Sequence, residues 1–121
     1  MNRLQGISAS LLVFGVVLLM SSESHAQVWR PCGPDTLPPA IKHLVPQGSG
    51  GADFRPACQQ HDNAYGSGCC CPSRYEVDVQ FLNNMLNECS CSRNPQLCRQ
   101  RAWHYYRMVR MFGEKQWLRY R

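Results

Sequence analysis

Apolar and polar positions divide the chain into regions of different character. From about Ile7 to Met20 the run is apolar, with Met1-Asn2-Arg3 before it and Ser24-His25-Ala26 after it. A positive start, a short apolar run and small residues at a cleavage point describe a secretory signal peptide cut near Ala26. The run is shorter than the ~20 residues that a membrane span needs. Residues 27–51 then show neither a helical nor a strand period. Pro31, Pro34, Pro38, Pro39 and Pro46 punctuate them, and Gln47-Gly48-Ser49-Gly50-Gly51 closes them. An extended, irregular segment is expected there, and so long a loop in a compact domain usually carries function.

Helical spacing takes over at residues 54–66. Asp53 can cap the start, Pro56 is tolerated in a first turn, and Gly66-Ser67-Gly68 ends the helix. A second helix is expected over 74–88. Tyr75, Asp78, Val79, Leu82, Met85 and Leu86 share one of its faces, with Phe81 at the margin. The short connection between the two makes them antiparallel neighbours. Cys89 to Pro95 reads as a turn. A third helix over 96–112, closed by Gly113, has Leu97, Ala102, Tyr105, Met108, Val109 and Phe112 as its inner stripe. Trp103, Tyr106 and Arg110 lie off that stripe, and the tail over 114–121 sets Trp117, Leu118 and Tyr120 among basic residues. No internal repeat or second domain is visible, so residues 27–121 are expected to form one domain.

So small a domain buries little core and usually needs staples. All eight cysteines fall after residue 26: Cys32, Cys58, Cys69, Cys70, Cys71, Cys89, Cys91 and Cys98. An even count in an exported chain reads as a disulfide framework. Zinc is the competing reading, but the Cys69-Cys70-Cys71 run lacks the spacing that zinc prefers. Without Arg3 and Glu23, the remaining chain carries twelve Lys and Arg against seven Asp and Glu, about +5. From Arg93 onward eight residues are basic and Glu114 alone is acidic. Such a surface suits anionic partners, phospholipid headgroups included, and nothing points to nucleic acid. A charged face kept for solubility explains any single arginine equally well.

The first helix is unusual in its chemistry. Cys58, His61, Asp62 and Tyr65 fall at i, i+3, i+4 and i+7 and share a face that a plain core would fill with aliphatic residues. His61 and Asp62 point about 100° apart, so one can face a carboxylate on the next helix while the other faces a metal. Asp78, an acid among apolar neighbours, can stand opposite His61; buried, it would need a partner. Ca²⁺ prefers oxygen ligands, and the loop around Cys32-Gly33 can supply carbonyls if a disulfide holds it against this helix. His61 oriented by Asp78 can take a proton from water, while the cation and a loop N–H stabilise the oxyanion. That describes a water-attack hydrolase acting on an ester. No G-x-S-x-G marks a serine nucleophile.

Pro56-Ala57-Cys58-x-x-His61-Asp62-x-x-Tyr65 resembles the active-site helix of secreted phospholipases A2, whose pattern is C-C-x-x-H-D-x-C-Y. The compact bacterial and fungal forms are most similar, since the second carboxylate, here Asp78 in Arg74-Tyr75-Glu76-Val77-Asp78, follows after a short connection. Ala102-Trp103-His104-Tyr105-Tyr106-Arg107-Met108-Val109-Arg110-Met111-Phe112-Gly113 resembles the last helix of the bacterial form. The resemblance covers about Cys32 to Gly113. It implies His61 as general base, Asp78 orienting it and Tyr65 hydrogen-bonded to Asp78. It implies Ca²⁺ on the Asp62 carboxylate and the carbonyls of Pro31, Gly33 and Asp35, with the Gly33 N–H facing the oxyanion. The implied reaction is hydrolysis of the sn-2 acyl ester of a glycerophospholipid at a membrane or micelle surface, by a secreted or periplasmic monomer.

Cys32 is expected to pair with Cys58 and Cys89 with Cys98; Cys69, Cys70, Cys71 and Cys91 have no clear counterparts in the family, and Cys91 is expected to take one of the other three, leaving two unplaced. Ala57 and Ala64 replace two family cysteines, and their usual partners, near Val77 and Asn84, are absent as well. Asp35 stands where animal and venom forms have glycine, and the loop from Cys32 to Cys58 is longer than theirs. The expected fold is therefore mainly α: a small disulfide-stapled helical domain. Two antiparallel helices carry the His–Asp site, a third C-terminal helix follows, and an irregular calcium-binding loop precedes them. Two other readings remain: an inactive family member that binds lipid or protein, and a disulfide-rich secreted module in which His61 and Asp62 are incidental. Trp29, Trp103 and Trp117, with the basic C-terminal third, would seat the site on an anionic surface.

Overall fold

Local capping chemistry sets where each long helix begins. The structure is a computed structural model and describes residues 29–68 and 71–121. The expected signal peptide, Cys69 and Cys70 lie outside the described residues. After an extended start come one helical turn, α1 (Pro39–Lys42), and a hairpin of strands β1 (Gly48–Ser49) and β2 (Ala52–Asp53). Then follow α2 (Arg55–Gly66), α3 (Arg74–Glu88), a 3₁₀ turn (Cys89–Cys91), α4 (Pro95–Phe112) and α5 (Glu114–Arg119). Asp53 Oδ1 accepts the Arg55 N–H at 3.0 Å and so caps α2 from just outside it. At α3, Ser73 and Glu76 form a reciprocal capping box: Glu76 N–H donates to Ser73 Oγ and Ser73 N–H to Glu76 Oε2. Such a cap is worth about 1 kcal/mol and fixes the start of the helix that carries Asp78. Asn94 Oδ1 accepts the Leu97 N–H at 3.1 Å, and Pro95 opens α4.

The three long helices run up, down and up. Tyr65 meets Asp78, His61 meets Phe81, and Gln60 meets Asn84, so positions fall along α2 as they rise along α3. Likewise Arg74 reaches the Arg110 carbonyl while Cys89 is bonded to Cys98, which sets α4 antiparallel to α3. Phe54 and Met85 are wholly buried between them, with Ala57, Phe81, Leu82, Ala102 and both disulfides around them. Partly buried Tyr105, Tyr106 and Val109 cover this core. The fold is the mainly helical, disulfide-stapled domain that the pattern predicts.

Several details differ from the expectation. On α4 the inward face is Cys98, Ala102, Tyr105 and Val109, whereas Leu97, Met108 and Phe112 are exposed. The disulfide to Cys89 turns Cys98 inward, and positions four, seven and eleven residues on follow it. On α3, Val77 is buried and Tyr75 is exposed, with the Arg110 guanidinium over its ring. Residues 27–51 are not irregular throughout. Pro39 opens α1, and Gly50 and Gly51, both at positive φ (58° and 94°), make the two-residue turn of the hairpin. The tail folds as α5.

Cys32–Cys58 and Cys89–Cys98 are both formed. Cys91 does not pair as expected: it and Cys71 are free and exposed. Chain entropy makes the longer closure worth more. With separations of 26 and 9 residues, removing Cys32–Cys58 by paired serine substitution should cost about 3.5 kcal/mol, and removing Cys89–Cys98 about 2.6 kcal/mol. Urea denaturation of the two double variants would read that order directly.

Candidate active site

Helices α2 and α3 bring three of the predicted residues to one point. Asp78 has no solvent exposure. Its Oδ1 lies 2.8 Å from His61 Nε2 and accepts the Tyr65 hydroxyl at 2.7 Å. The His61 ring is held between the rings of Tyr65 and Phe81, each centroid 4.4 Å away. The residue is buried, with 8 % of its surface exposed. Burial pushes the Asp78 carboxyl pKa upward, but the hydrogen bonds from His61, Arg110 and Tyr65 outweigh it and hold the group below its usual value. Asp78 is therefore ionised and can only accept. His61 Nε2 must then carry the ring proton, which leaves Nδ1 as a lone-pair acceptor. Among the described residues nothing bonds to that nitrogen. Burial raises the Tyr65 phenol to about 12, so it stays a donor.

The loop lies beside this pair because Cys32 is bonded to Cys58, one turn before Asp62 on α2. Gly33 turns at φ 101°. The carbonyls of Cys32 and Pro34 are taken by Gln47 Nε2 and the Leu37 N–H. Those of Pro31, Gly33 and Asp35, and the Gly33 N–H, make no hydrogen bond among the described residues. The Asp62 carboxyl is pushed up to about 7, chiefly by burial, then by the negative charge of Asp35, with Lys42 opposing. Water still reaches Asp62 and screens part of this effect. Lys42 Nζ sits 3.0 Å from Asp35 Oδ1. Asp35 and Asp62 repel each other, and carboxylate and free carbonyl oxygens are the kind of donor a hard cation prefers. Among the described residues no three His, Cys, Asp or Glu side chains gather as a metal cluster, so backbone oxygens would have to complete such a site.

With this geometry in hand, the family model described as prokaryotic phospholipase A2 matches residues 42–113. The chain belongs to that family. A secretory phospholipase A2 of Beauveria bassiana (strain ARSEF 2860) is 38% identical over 68 residues, which make up 52% of this chain and 36% of the relative. The chain thus spans little more than a third of the length of the curated relative it matches. No solved structure matches it.

The segment matched to the phospholipase A2 family contains His61, Asp62, Tyr65 and Asp78; the loop residues Pro31, Gly33 and Asp35 lie before it. Ala57, Ala64, Val77 and Asn84, the positions of the missing bridges, line one groove together with His61. Two residues of the site were not anticipated. Arg110 Nη1 donates to Asp78 Oδ2 at 2.7 Å, and Arg74 Nε lies 3.7 Å from the same oxygen. Arg74 precedes Asp78 by one turn, a spacing that marks an ion pair. For Arg110 the one available signal was that a buried acid must find a cation. Gly113 leaves room for the pair, since a Cβ there would lie 2.8 Å from the Tyr65 hydroxyl. Trp117 of α5 packs edge-to-face with Tyr65 at 5.1 Å between centroids, with the Arg121 guanidinium over the Trp117 ring. Trp117 is therefore part of the site's wall and only partly exposed, whereas Trp29 and Trp103 are exposed.

The raised Asp62 value fixes a sign. Between its ordinary 3.8 and about 7, folded protein keeps a proton that the unfolded chain has lost. Stability therefore falls across that window as pH rises. Asp78 acts oppositely: its depressed value gives stability present above about pH 4 and lost as pH falls below it. Without divalent metal, Asp62→Asn should melt higher than the parent at pH 8 and alike at pH 3.5. Thermal melts in a chelator at both pH values would check this.

Proposed function

We propose that this protein hydrolyses the sn-2 acyl ester of glycerophospholipids, with His61 as general base on water and Ca²⁺ as cofactor. The observation that carries the reading is the His61 ring fixed through Nε2 on a buried, ionised Asp78, with Nδ1 left to accept. His61 Nδ1 takes a proton from water as the water oxygen attacks the ester carbonyl carbon. Asp78 stabilises the resulting imidazolium. When the tetrahedral carbon collapses, its bond to the glycerol oxygen breaks and His61 returns the proton to that oxygen. Fatty acid and lysophospholipid result. The Gly33 N–H is aimed at the oxyanion in this reading, and Tyr65 keeps Asp78 in place. The Asp62 carboxylate and the carbonyls of Pro31, Gly33 and Asp35 would hold Ca²⁺, which when bound would supply positive charge to the ester carbonyl.

Family membership supports the substrate class, and the relative named as secretory supports export through the signal peptide expected at residues 1–26. Contact with an anionic lipid surface is supported by the exposed Trp103, Met111, Phe112 and Leu118, with the exposed cations Arg107, Lys115 and Arg119 on the same two helices. Among the described residues no helix is long and apolar enough to cross a membrane. His61→Gln should lower calcium-dependent fatty-acid release from anionic phospholipid vesicles by about 10²–10⁴-fold while leaving the protein folded, as read by circular dichroism. Full release by a folded His61→Gln variant would remove the assigned base.

An inactive, lipid-binding member is the alternative, and the Lys42 ammonium on Asp35 favours it, since it brings a cation to the loop already. Calorimetry separates the two. The hydrolase reading expects Ca²⁺ to bind with a dissociation constant on the order of millimolar or tighter, and Asp62→Ala to lose that heat.

A further inference from the structure

Helix α4 reaches the site through one side chain. Asp78 uses its two oxygens differently. Oδ1 takes His61 and Tyr65, both from α2, while Oδ2 takes Arg110 from α4 at 2.7 Å, with Arg74 at 3.7 Å. An aspartate carboxylate turns about its last bond, a broad and soft rotation. With Oδ1 held alone, the group could swing and carry the His61 ring with it. The contact at Oδ2 fixes that rotation. Arg110 is itself well anchored. Its guanidinium lies over the Tyr75 ring at 5.5 Å, and its own carbonyl and that of Val109 both accept Arg74 Nη2 at 2.8 Å. Arg74 thus grips the end of α4 from α3, while Arg110 grips α3 from α4.

We propose that Arg110 is a positioning residue for the hydrolysis assigned to His61: by holding Asp78 Oδ2 it keeps Oδ1 aimed at the imidazole, which in turn aims Nδ1 at water. This rests on the phospholipase reading for its reaction, but not for its geometry. Arg110 touches neither the His61 ring nor the loop. Its loss should therefore slow the chemical step without weakening substrate binding. Errors of about 1 Å in a reacting geometry cost on the order of 100-fold in rate.

The test compares Arg110→Met, Arg110→Gln and Arg110→Lys in the full-length protein, with thermal melts and Ca²⁺ calorimetry as controls of folding. Arg110→Met should lose about 100-fold in kcat with KM unchanged. Arg110→Lys, which keeps a charged donor, should recover most of that loss. A readout independent of turnover is the downfield proton resonance of an imidazole N–H bonded to a carboxylate. It should be sharp in the parent and in Arg110→Lys, and broadened or lost in Arg110→Met. If the methionine variant does not fold, Arg110→Gln takes its place under the same criteria. A folded neutral variant with kcat and the imidazole resonance as in the parent overturns the proposal, as does a loss carried by KM. Should the parent release no fatty acid at all, the phospholipase reading fails, and the proton resonance still decides whether Arg110 holds the pair.

Discussion

A carboxylate with no access to water dominates this molecule. Burying Asp78 alone would cost several kcal/mol, and the group would take up a proton rather than stay charged. It stays charged because donors converge on it from two neighbouring helices, His61 and Tyr65 on α2 and Arg110 on α4, with the Arg74 cation of α3 itself close by. Helix packing and site geometry are therefore one requirement. The helices must meet at Asp78 for the charge to be tolerated, and the charge penalises any packing that separates them.

Around that junction, rigid and irregular backbone have separate tasks. The paired imidazole belongs to the packed helices. The segment that would grip a cation is extended chain, and it is held in register by one disulfide and by Gln47. The Gln47 side chain accepts the Cys32 N–H and donates to the carbonyls of Cys32 and Val45. Arg30 adds a second clasp through the carbonyls of His43 and Val45. A loop so fastened needs no regular structure to keep its oxygens in place.

Much of this was legible in the residues. Helix bounds at 74–88 and near 95–112 follow from caps, prolines and Gly113, which act locally. The grouping of His61, Tyr65 and Asp78 follows from helical spacing and a short connection. What spacing could not give was long-range. Arg110 lies off the apolar stripe of α4 and reads as a solvated charge, because its partner is 32 residues away in sequence. Leu97, Met108 and Phe112 read as core for the same reason: apolar character predicts burial only where a neighbouring element arrives to cover it. The hairpin was missed because strands of two residues have no period, although Gly50-Gly51 is turn chemistry. Asp35 and Lys42 form an ion pair that bears on the loop, and only three-dimensional proximity to Asp62 reveals their importance.

The C-terminal tail also packs against Tyr65. Trp117 abuts the phenol of Tyr65, and the Arg121 side chain reaches the Tyr65 carbonyl at 3.4 Å, yet both lie past the stretch that family similarity covers. Alignments confined to the shared stretch therefore omit part of what surrounds this tyrosine. Two relatives with identical motifs can give it unlike solvation and stiffness, through tails that no motif records.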